Sequence, residues 1–525
     1  MPSRAVFVFP PFRLDAANEQ LWRDSDLVDL RPKAFEVLLY LVQNARRLVT
    51  KRELLDSVWA GASVSDELLR GYIRDLRDAL GDDAQKPRYI ETVPTRGYRF
   101  LPSVVSDESP VPTQPSVLKP AKALPELRVG ILHSLTGTMA STESPVVDAT
   151  LLAIEEINER GGILGREIQP VVIDGASDER AFARHAAALI AEAKVCAIFG
   201  CWTSASRKSV LPIVEQRDHL LIYPTQYEGM EQCSNIFYTG AAPNQQIIPA
   251  VSWTVGFLRK RRFFLVGWNS VYSRAANAII RDEVEAAGGE IVGEEYTLPN
   301  SVEVTRVVRK IAQTEPDLIF NSLVGDMNLF YTRLLRAAGI TPEKIPTVYF
   351  SVGEIELLSL SAREIVGDYA AWNYFQSLDR PENHAFVKRF HSRYGRQRVV
   401  ADTMEAGYLG VHLWAQAAHA ADPDDVAAIR RALPNQSFEA PGGRVRIDAE
   451  NQHTWKTMRL GRIGEGGQFE IMWSSEKPIR PEPYPASRSP AAWEELLNKL
   501  YNAWGGNWTK SQCAISQVDD HHSAE

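Results

Sequence analysis

Arg70, Arg74 and Arg77 follow one another at intervals of four and three residues, and Leu69, Ile73, Leu76 and Leu80 recur at similar spacing beside them. On a helix of about 3.6 residues per turn these make two stripes roughly 80 to 100° apart, one cationic and one apolar. The apolar stripe docks on a core, while guanidinium groups pair with phosphate oxygens or with the O6/N7 edge of guanine. On the helix alone, the plainer reading is that the arginines solvate an exposed face, with Asp66, Asp75 and Asp78 as ion-pair partners; the flanking sequence reverses that. A different chemistry gathers at three places further along, each directly after a short β-rich apolar run. Ser134, Thr136 and Thr138 follow Val129 to Leu132; Trp202, Thr203, Ser204 and Ser206 follow Ala197 to Phe199 and Gly200; Thr225 and Tyr227 follow Leu220 to Tyr223. Hydroxyls, amides and aromatic walls at the carboxyl ends of strands are how open α/β sheets bind small polar ligands. Ser204 or Ser206 acting as a helix cap is the plainer reading, and it is compatible with ligand contact.

The arginine stripe belongs to the third of three helical patterns. Pro32 opens the first, with Phe35, Leu38, Leu39 and Val42 on one face. Thr50 and Glu53 form a capping box ahead of Leu54, Leu55 and Val58. The third helix is expected from Ser65 to Leu80. Strands are expected at Val6 to Leu14 and Gln20 to Leu30, and Arg88 to Leu101 predicts a hairpin turning at Pro94 and Gly97 with Arg96 at its tip. Residues 1–104 thus form one domain. Pro110, Pro112, Pro115, Pro120 and Pro125 then mark residues 105–126 as an extended linker. From Leu127 to about Ile471, β-rich runs alternate with helical patterns, the signature of βαβ units in parallel sheets, and residues 127–485 are enough for two lobes. In residues 486–525, Trp493, Leu496, Leu497, Leu500 and Trp504 share a helical face that is expected to pack back on the preceding domain. Gly505 and Gly506 stop that helix, and a disordered polar tail with His521 and His522 is expected beyond Trp508, with no metal role.

The 525 residues, 45% of them apolar, exceed what one core usually organises, so at least two folding units are expected. The formal charge of −8 is mild, and residues 1–104 hold about 16 Lys/Arg against about 15 Asp/Glu, so net charge alone does not suggest nucleic acid. Met1 to Pro11 lacks the pattern of a secretory signal, and no stretch approaches the roughly 18 apolar residues of a membrane helix, which makes the cytoplasm the expected compartment. Cys196, Cys201, Cys233 and Cys513 form no C-x-x-C pair and no zinc-finger spacing, so neither a metal nor a cofactor is expected.

The T-V-P-x-R-G-Y-R-F hairpin at Thr92 to Phe100, preceded by three helices and two strand regions, resembles the OmpR/PhoB-type winged helix, in its ToxR/CadC-like one-component branch. The resemblance covers essentially all of residues 1–104. It implies an α+β winged helix-turn-helix in which Ser65 to Leu80 is the recognition helix and the hairpin is the wing. Double-stranded DNA is then the partner, with Arg70, Arg74, Arg77 and Arg96 as contacts and Tyr98 packed beneath the wing. A homodimer on repeated half-sites and contact with RNA polymerase are further expectations.

The segments G-I-L-H-S-L-T-G-T at Gly130 to Thr138, F-G-C-W-T-S-A-S-R-K at Phe199 to Lys208, Y-P-x-Q-Y-E-G at Tyr223 to Gly229 and Y-T-G-A-x-P-N-Q-Q at Tyr238 to Gln246 resemble the type I periplasmic binding proteins, specifically the urea and short-chain-amide branch. That resemblance runs from about Leu127 to Pro485 and implies an α/β fold of two lobes closing on a ligand. It implies that Trp202 and Ser204 contact an amide from the first lobe, with Ser134, Thr203, Tyr223 and Thr225 nearby, and that Tyr272 and Asp326 approach from the second. Relatives commonly carry G-S-D-Y-x-[FY]-P-R where this chain has Gly267 to Arg274, so an acidic and an aromatic residue are missing. The expected ligand is accordingly a modified or larger amide, with Asn269 and Trp268 as replacements for the lost contacts.

The leading expectation is a one-component regulator that senses a small amide, urea or related nitrogen compound and acts on DNA, with no catalytic residues. The alternatives are an amidase using Cys201 as nucleophile, for which His133 is the one histidine in the cleft-forming segments, and a solute receptor of a transporter.

Overall fold

The computed structural model describes residues 6–9, 11–16, 20–23, 26–28, 30, 32–58, 66–83, 86–93, 96–102, 104–106, 125–297, 303–359 and 362–509. The chain divides into two units, residues 1–121 and 122–525.

Each strand region expected at the start of the first unit is a pair of strands. Val6–Phe9 pairs antiparallel with Phe12–Asp15, and Gln20–Arg23 pairs with Asp26–Val28. Pro11 sits in the first turn, opposite no ladder partner, because proline lacks an N–H to donate and is disfavoured inside a strand pair. The sheet continues past residue 104, since Val105–Ser106 pairs with Phe7 and Val8 and so takes the first residues assigned to the linker into the domain. The rest of the expected linker lies largely outside the described residues.

Helices follow at Pro32–Gln43, Lys51–Val58 and Asp66–Leu80. The capping box is present in both directions: the Glu53 amide donates to Thr50 Oγ1 at 3.2 Å and the Thr50 amide to a Glu53 carboxylate oxygen at 3.4 Å. Leu69, Ile73, Leu76 and Leu80 are buried, as their spacing requires. Ile90–Val93 and Gly97–Phe100 form the wing, and Leu48–Thr50 lines its far edge. A Cβ on Gly97 would lie 2.0 Å from the Val49 carbonyl oxygen, so only glycine allows the strands to meet there. Edge-on aromatic pairs, Phe9 with Phe100 at 5.0 Å and Phe12 with Tyr89 at 5.4 Å, fix the sheet to this core.

The second unit has two lobes, each built on a sheet. In the first, five parallel strands stand in the order Ile168–Asp174, Leu127–His133, Ile198–Gly200, Leu221–Tyr223 and Ile236–Tyr238. In the second, the parallel strands Glu290–Thr297, Arg262–Trp268, Leu318–Ser322, Thr347–Tyr349 and Tyr369–Trp372 are extended by antiparallel Arg459–Ile463 and Phe469–Ser474. The chain passes to the second lobe after Tyr238, returns with helix Asp402–Ala420, which packs on Ala140–Glu159, and passes over again to supply the last two strands. Central parallel strands are buried on both faces, which explains their nearly continuous apolar runs. Helix Pro490–Ala503 lies against Val271–Ala286 in the second lobe, with Trp493 and Leu497 buried. Among the described residues, no helix is long and apolar enough to cross a membrane, and no group of His, Cys, Asp and Glu has the geometry to hold a metal ion. His521 and His522 lie outside the described residues.

Candidate functional site

The recognition-type helix presents its arginines unequally. Arg74 and Arg96 are exposed. Arg77 is half-buried and donates from one terminal nitrogen to the Ile90 carbonyl at 2.9 Å and to Thr92 Oγ1 at 2.8 Å, so it ties the helix to the wing. The Arg70 side chain lies outside the described residues. Tyr98 is buried beneath the wing, where the sequence expects it.

In the second unit, a cavity of about 200 Å³ opens between the lobes at the carboxyl ends of their strands. Of the residues expected to meet a ligand, Ser134, Trp202, Thr203, Ser204, Thr225 and Tyr272 line it together. Gly200 makes this possible, because a Cβ there would lie 2.2 Å from the Leu132 carbonyl oxygen and would separate the strands that carry Ser134 and Trp202. The loop bearing Ser134 is held by Asp174, which accepts from the Leu135 and Thr136 amides at 2.8 and 3.2 Å and from Thr136 Oγ1 at 2.6 Å. Burial opposes its ionisation, but bonds from Thr136, Ala176 and Leu135 hold the Asp174 carboxyl at about 2.

Thr203, rather than Ser204 or Ser206, caps helix Ser204–Gln216, accepting from the Ser206 amide at 3.0 Å. Ser204 is thereby freed from capping. Its hydroxyl donates to Glu228 and accepts from Arg207 at 3.3 Å, which leaves one acceptor position unused on a residue that lines the cavity. Behind it, Arg207 is wholly buried between Glu228 at 3.2 Å and Glu231 at 2.7 Å, with Lys208 on Glu231 at 3.0 Å. This neutralised cluster stiffens the wall and keeps its cations out of the cavity. Gln226, which sequence reasoning passed over, also lines the cavity. Its amide nitrogen donates to the Phe350 carbonyl at 3.1 Å, which turns its carbonyl oxygen inward without a partner.

Trp202 Nε1, Thr225 Oγ1, Gln226 Oε1, Trp268 Nε1 and the Tyr272 hydroxyl are buried without a hydrogen-bond partner among the described residues. Tyr272 lies near Ser351 and Gln226 but closes no well-formed bond to either. Buried polar atoms without partners carry a desolvation cost, so their gathering around one cavity marks a place meant for a polar molecule. Among the described residues, the lining contains the carboxylates of Glu143 and Glu179 and no Lys or Arg. Glu143 accepts from the Ser134 amide at 2.8 Å and faces His133 Nδ1 at 3.0 Å.

Two expected residues stand elsewhere. Tyr223 is fully buried behind the wall, donating to the Trp202 carbonyl at 2.8 Å and lying under the Arg207 guanidinium. It buttresses Trp202. Asp326 lines an adjoining chamber with Thr138, Met139, Trp268 and Phe330, next to the main cavity but not in it. Of the two expected replacements, Trp268 lines both chambers, whereas Asn269 accepts from Arg274 at 3.0 Å and is absent from both linings. Cys201 does not line the cavity, and burial pushes its thiol well above the usual range, which deprives the amidase alternative of an ionisable nucleophile.

Residues 127–490 match the family described as periplasmic binding protein domain, and residues 24–100 match the one described as transcriptional regulatory protein, C terminal. The chain belongs to the periplasmic-binding-protein-domain family, and it carries an OmpR/PhoB-type DNA-binding domain ahead of that fold. The transcriptional regulator HilA of Salmonella typhimurium is 40% identical over 110 residues, which are 21% of this chain and 20% of HilA. The transcriptional activator CadC of Escherichia coli is 32% identical over 87 residues, 16% of this chain and 17% of CadC. Limonene hydroxylase of Geobacillus stearothermophilus is 36% identical over 124 residues, 24% of this chain and 23% of that protein. The chain spans about a quarter or less of the length of these relatives. Among solved structures, a solute-binding protein of R. palustris in complex with benzoate aligns with a TM-score of 0.62 at 20% identity, covering 68% of this chain and 98% of that one. LivJ of Streptococcus pneumoniae in complex with isoleucine aligns at 0.59 and 21%, covering 68% and 100%. At such identity the likeness concerns the fold.

Proposed function

We propose that this chain is a one-component transcription regulator that binds DNA through its winged helix and senses a small neutral amide or urea derivative between the lobes of its second unit. Arg70, Arg74 and Arg96 are the proposed contacts, of which Arg74 and Arg96 are exposed among the described side chains, and Arg77 braces the wing. A homodimer on paired half-sites, with RNA polymerase as a further partner, completes the proposed action. Ligand binding shifts the equilibrium between lobe arrangements, and that shift alters DNA affinity or activation.

The observation that carries the ligand class is the set of unpartnered polar atoms. An amide presents one carbonyl acceptor and N–H donors on a planar body. Trp202 Nε1 supplies a donor, Gln226 Oε1 an acceptor, and Thr225 and Tyr272 hydroxyls that serve as either; Ser204 Oγ, already bonded to Glu228 and Arg207, adds its remaining acceptor position. Among the described lining residues, a carboxylate would meet Glu143 and Glu179 and no Lys or Arg, which is unfavourable in a closed cleft. The benzoate and isoleucine named for the structural neighbours are acids, so this lining supports a different ligand chemistry. A cavity of about 200 Å³ has room for more than urea, since about 10–15 Å³ on the same scale admits one water.

Thermal shift followed by calorimetry with urea, phenylurea, acetamide, butyramide and benzamide, against benzoate and isoleucine, tests the reading. Saturable stabilisation by amides or ureas is expected. Stabilisation by the acids alone overturns it.

A further inference from the structure

The family match ends at residue 490, yet two residues beyond it, Trp508 and Thr509, line the cavity. The route they take is built. Arg488 forms a bidentate pair with Asp282, both contacts at 2.7 Å, and Trp493 donates to the Pro485 carbonyl at 2.9 Å, which anchors the start of helix Pro490–Ala503 on the second lobe. Gly505 and Gly506 take positive φ angles of 65° and 79°, which end the helix and turn the chain back. The Trp508 carbonyl then accepts from the Val271 amide at 3.0 Å, and Thr509 bridges to Ser270. Val271 is the first residue of its helix, where backbone amides have no partner within the helix, so the returning chain satisfies a donor at the cavity edge.

The same two residues face the other lobe. The Lys208 ammonium lies 4.7 Å from the centre of the Trp508 ring, and Thr509 lines the cavity together with Glu179, near its carboxyl but without a well-formed bond to it. Tyr501 supports the Trp508 ring from behind at 4.5 Å. Lys208 and Glu179 belong to helices of the first lobe, Ser270 and Val271 to the second. A segment that contacts both lobes and also faces the cavity cannot keep all its contacts when the lobes separate.

We propose that Gly505–Thr509 is a lid built into the ligand site, in which Trp508 sets the size of the amide the cleft accepts and its contact with Lys208 holds the lobes together over it. The size-setting role rests on the amide reading; the lid itself does not. Removing the indole opens the wall without touching Ser204, Thr225 or Tyr272. Longer amides then gain affinity relative to short ones, and bound ligand leaves faster.

The test uses the full-length chain and the variants Trp508→Ala and Trp508→Phe. Calorimetry with acetamide, butyramide and benzamide is expected to show the benzamide-to-acetamide affinity ratio rising about tenfold in Trp508→Ala, with Trp508→Phe close to the unaltered protein. Hydrogen exchange at the Val271 amide, measured without any ligand, is expected to quicken at least about tenfold in Trp508→Ala and little in Trp508→Phe. An unchanged affinity ratio in Trp508→Ala overturns the size-setting role, and unchanged Val271 exchange overturns the lid. If no amide binds the unaltered chain, the amide reading fails together with the size-setting role, and Val271 exchange alone decides the lid.

Discussion

Arg74 in the first unit and Arg207 in the second carry the same guanidinium to opposite ends. Arg74 is exposed on a helix whose other face is core, so its charge is available to a partner. Arg207 has no exposure and is spent on Glu228 and Glu231, so its charge is available to nothing outside the wall. The difference teaches where each unit keeps its working surface. The first unit presents cations that project from an ordinary small core, whereas the second gathers unpartnered polar atoms around a cleft with a buried ion cluster behind one wall.

The largest expected effect breaks that comparison on the buried side. Arg207→Met leaves Glu228 and Glu231 facing each other with Lys208 alone, and should cost about 3–5 kcal/mol in urea unfolding of the second unit. A loss below about 1 kcal/mol would show that the cluster is dispensable. Next comes pH. Burial pushes the Glu354 carboxyl up to about 8, against an ordinary value of 4.5, and leaves one of its oxygens without a partner. Its contribution to stability is complete below the ordinary value and is lost as pH rises toward 8, on the order of 2–4 kcal/mol. His412 and His453 act in the opposite direction, because burial holds them down at about 3 and about 4, and stability present above 6.5 is lost as pH falls through that range. Between pH 7 and 8, above the range in which the histidines act, urea midpoints should fall less steeply in Glu354→Gln than in the unaltered chain; an unaltered slope there would refute the assignment.

On the exposed side, Arg74→Ala should weaken DNA binding by about 1–3 kcal/mol in gel shifts while leaving the unfolding midpoint of the first unit unchanged. Arg77→Ala should lower both, because it removes the bonds to Ile90 and Thr92. Identical behaviour of the two variants would erase the distinction between a reading arginine and a bracing one. The smallest effect sharpens the cleft. Ser204→Ala should reduce affinity for the amide that stabilises the chain by about tenfold in calorimetry, whereas Tyr223→Phe, behind the wall, should change it less than about threefold.

Much of the first unit was legible because its signals are local. A capping box, an apolar stripe and a hairpin turn at Pro94 and Gly97 are each specified within a few residues; that Gly97 also meets Val49 across the sheet is not. The same locality misjudged the opening strands, where Pro11 turns one expected strand into two. In the second unit the strand ends were legible, and six of the eight expected ligand residues meet in one cavity. Tyr223 and Asp326 do not, because one phenol turned toward the Trp202 carbonyl and one loop placed a chamber away are matters of packing rather than of pattern. Gln226 was missed for the same reason, its inward oxygen being set by a carbonyl 124 residues away at Phe350.

The order of residues alone determined two folding units, the cationic stripe on one helix and the hydroxyl-rich strand ends on the other unit, since periodicity and turn chemistry act over a few residues at a time. Tertiary structure decided which arginine projects, which serine is freed from capping, and that Trp508 and Thr509 stand over a cavity whose first wall begins at Ser134. Those outcomes depend on contacts between distant segments, where burial and unpaired polar atoms, and not local propensity, set the free energy.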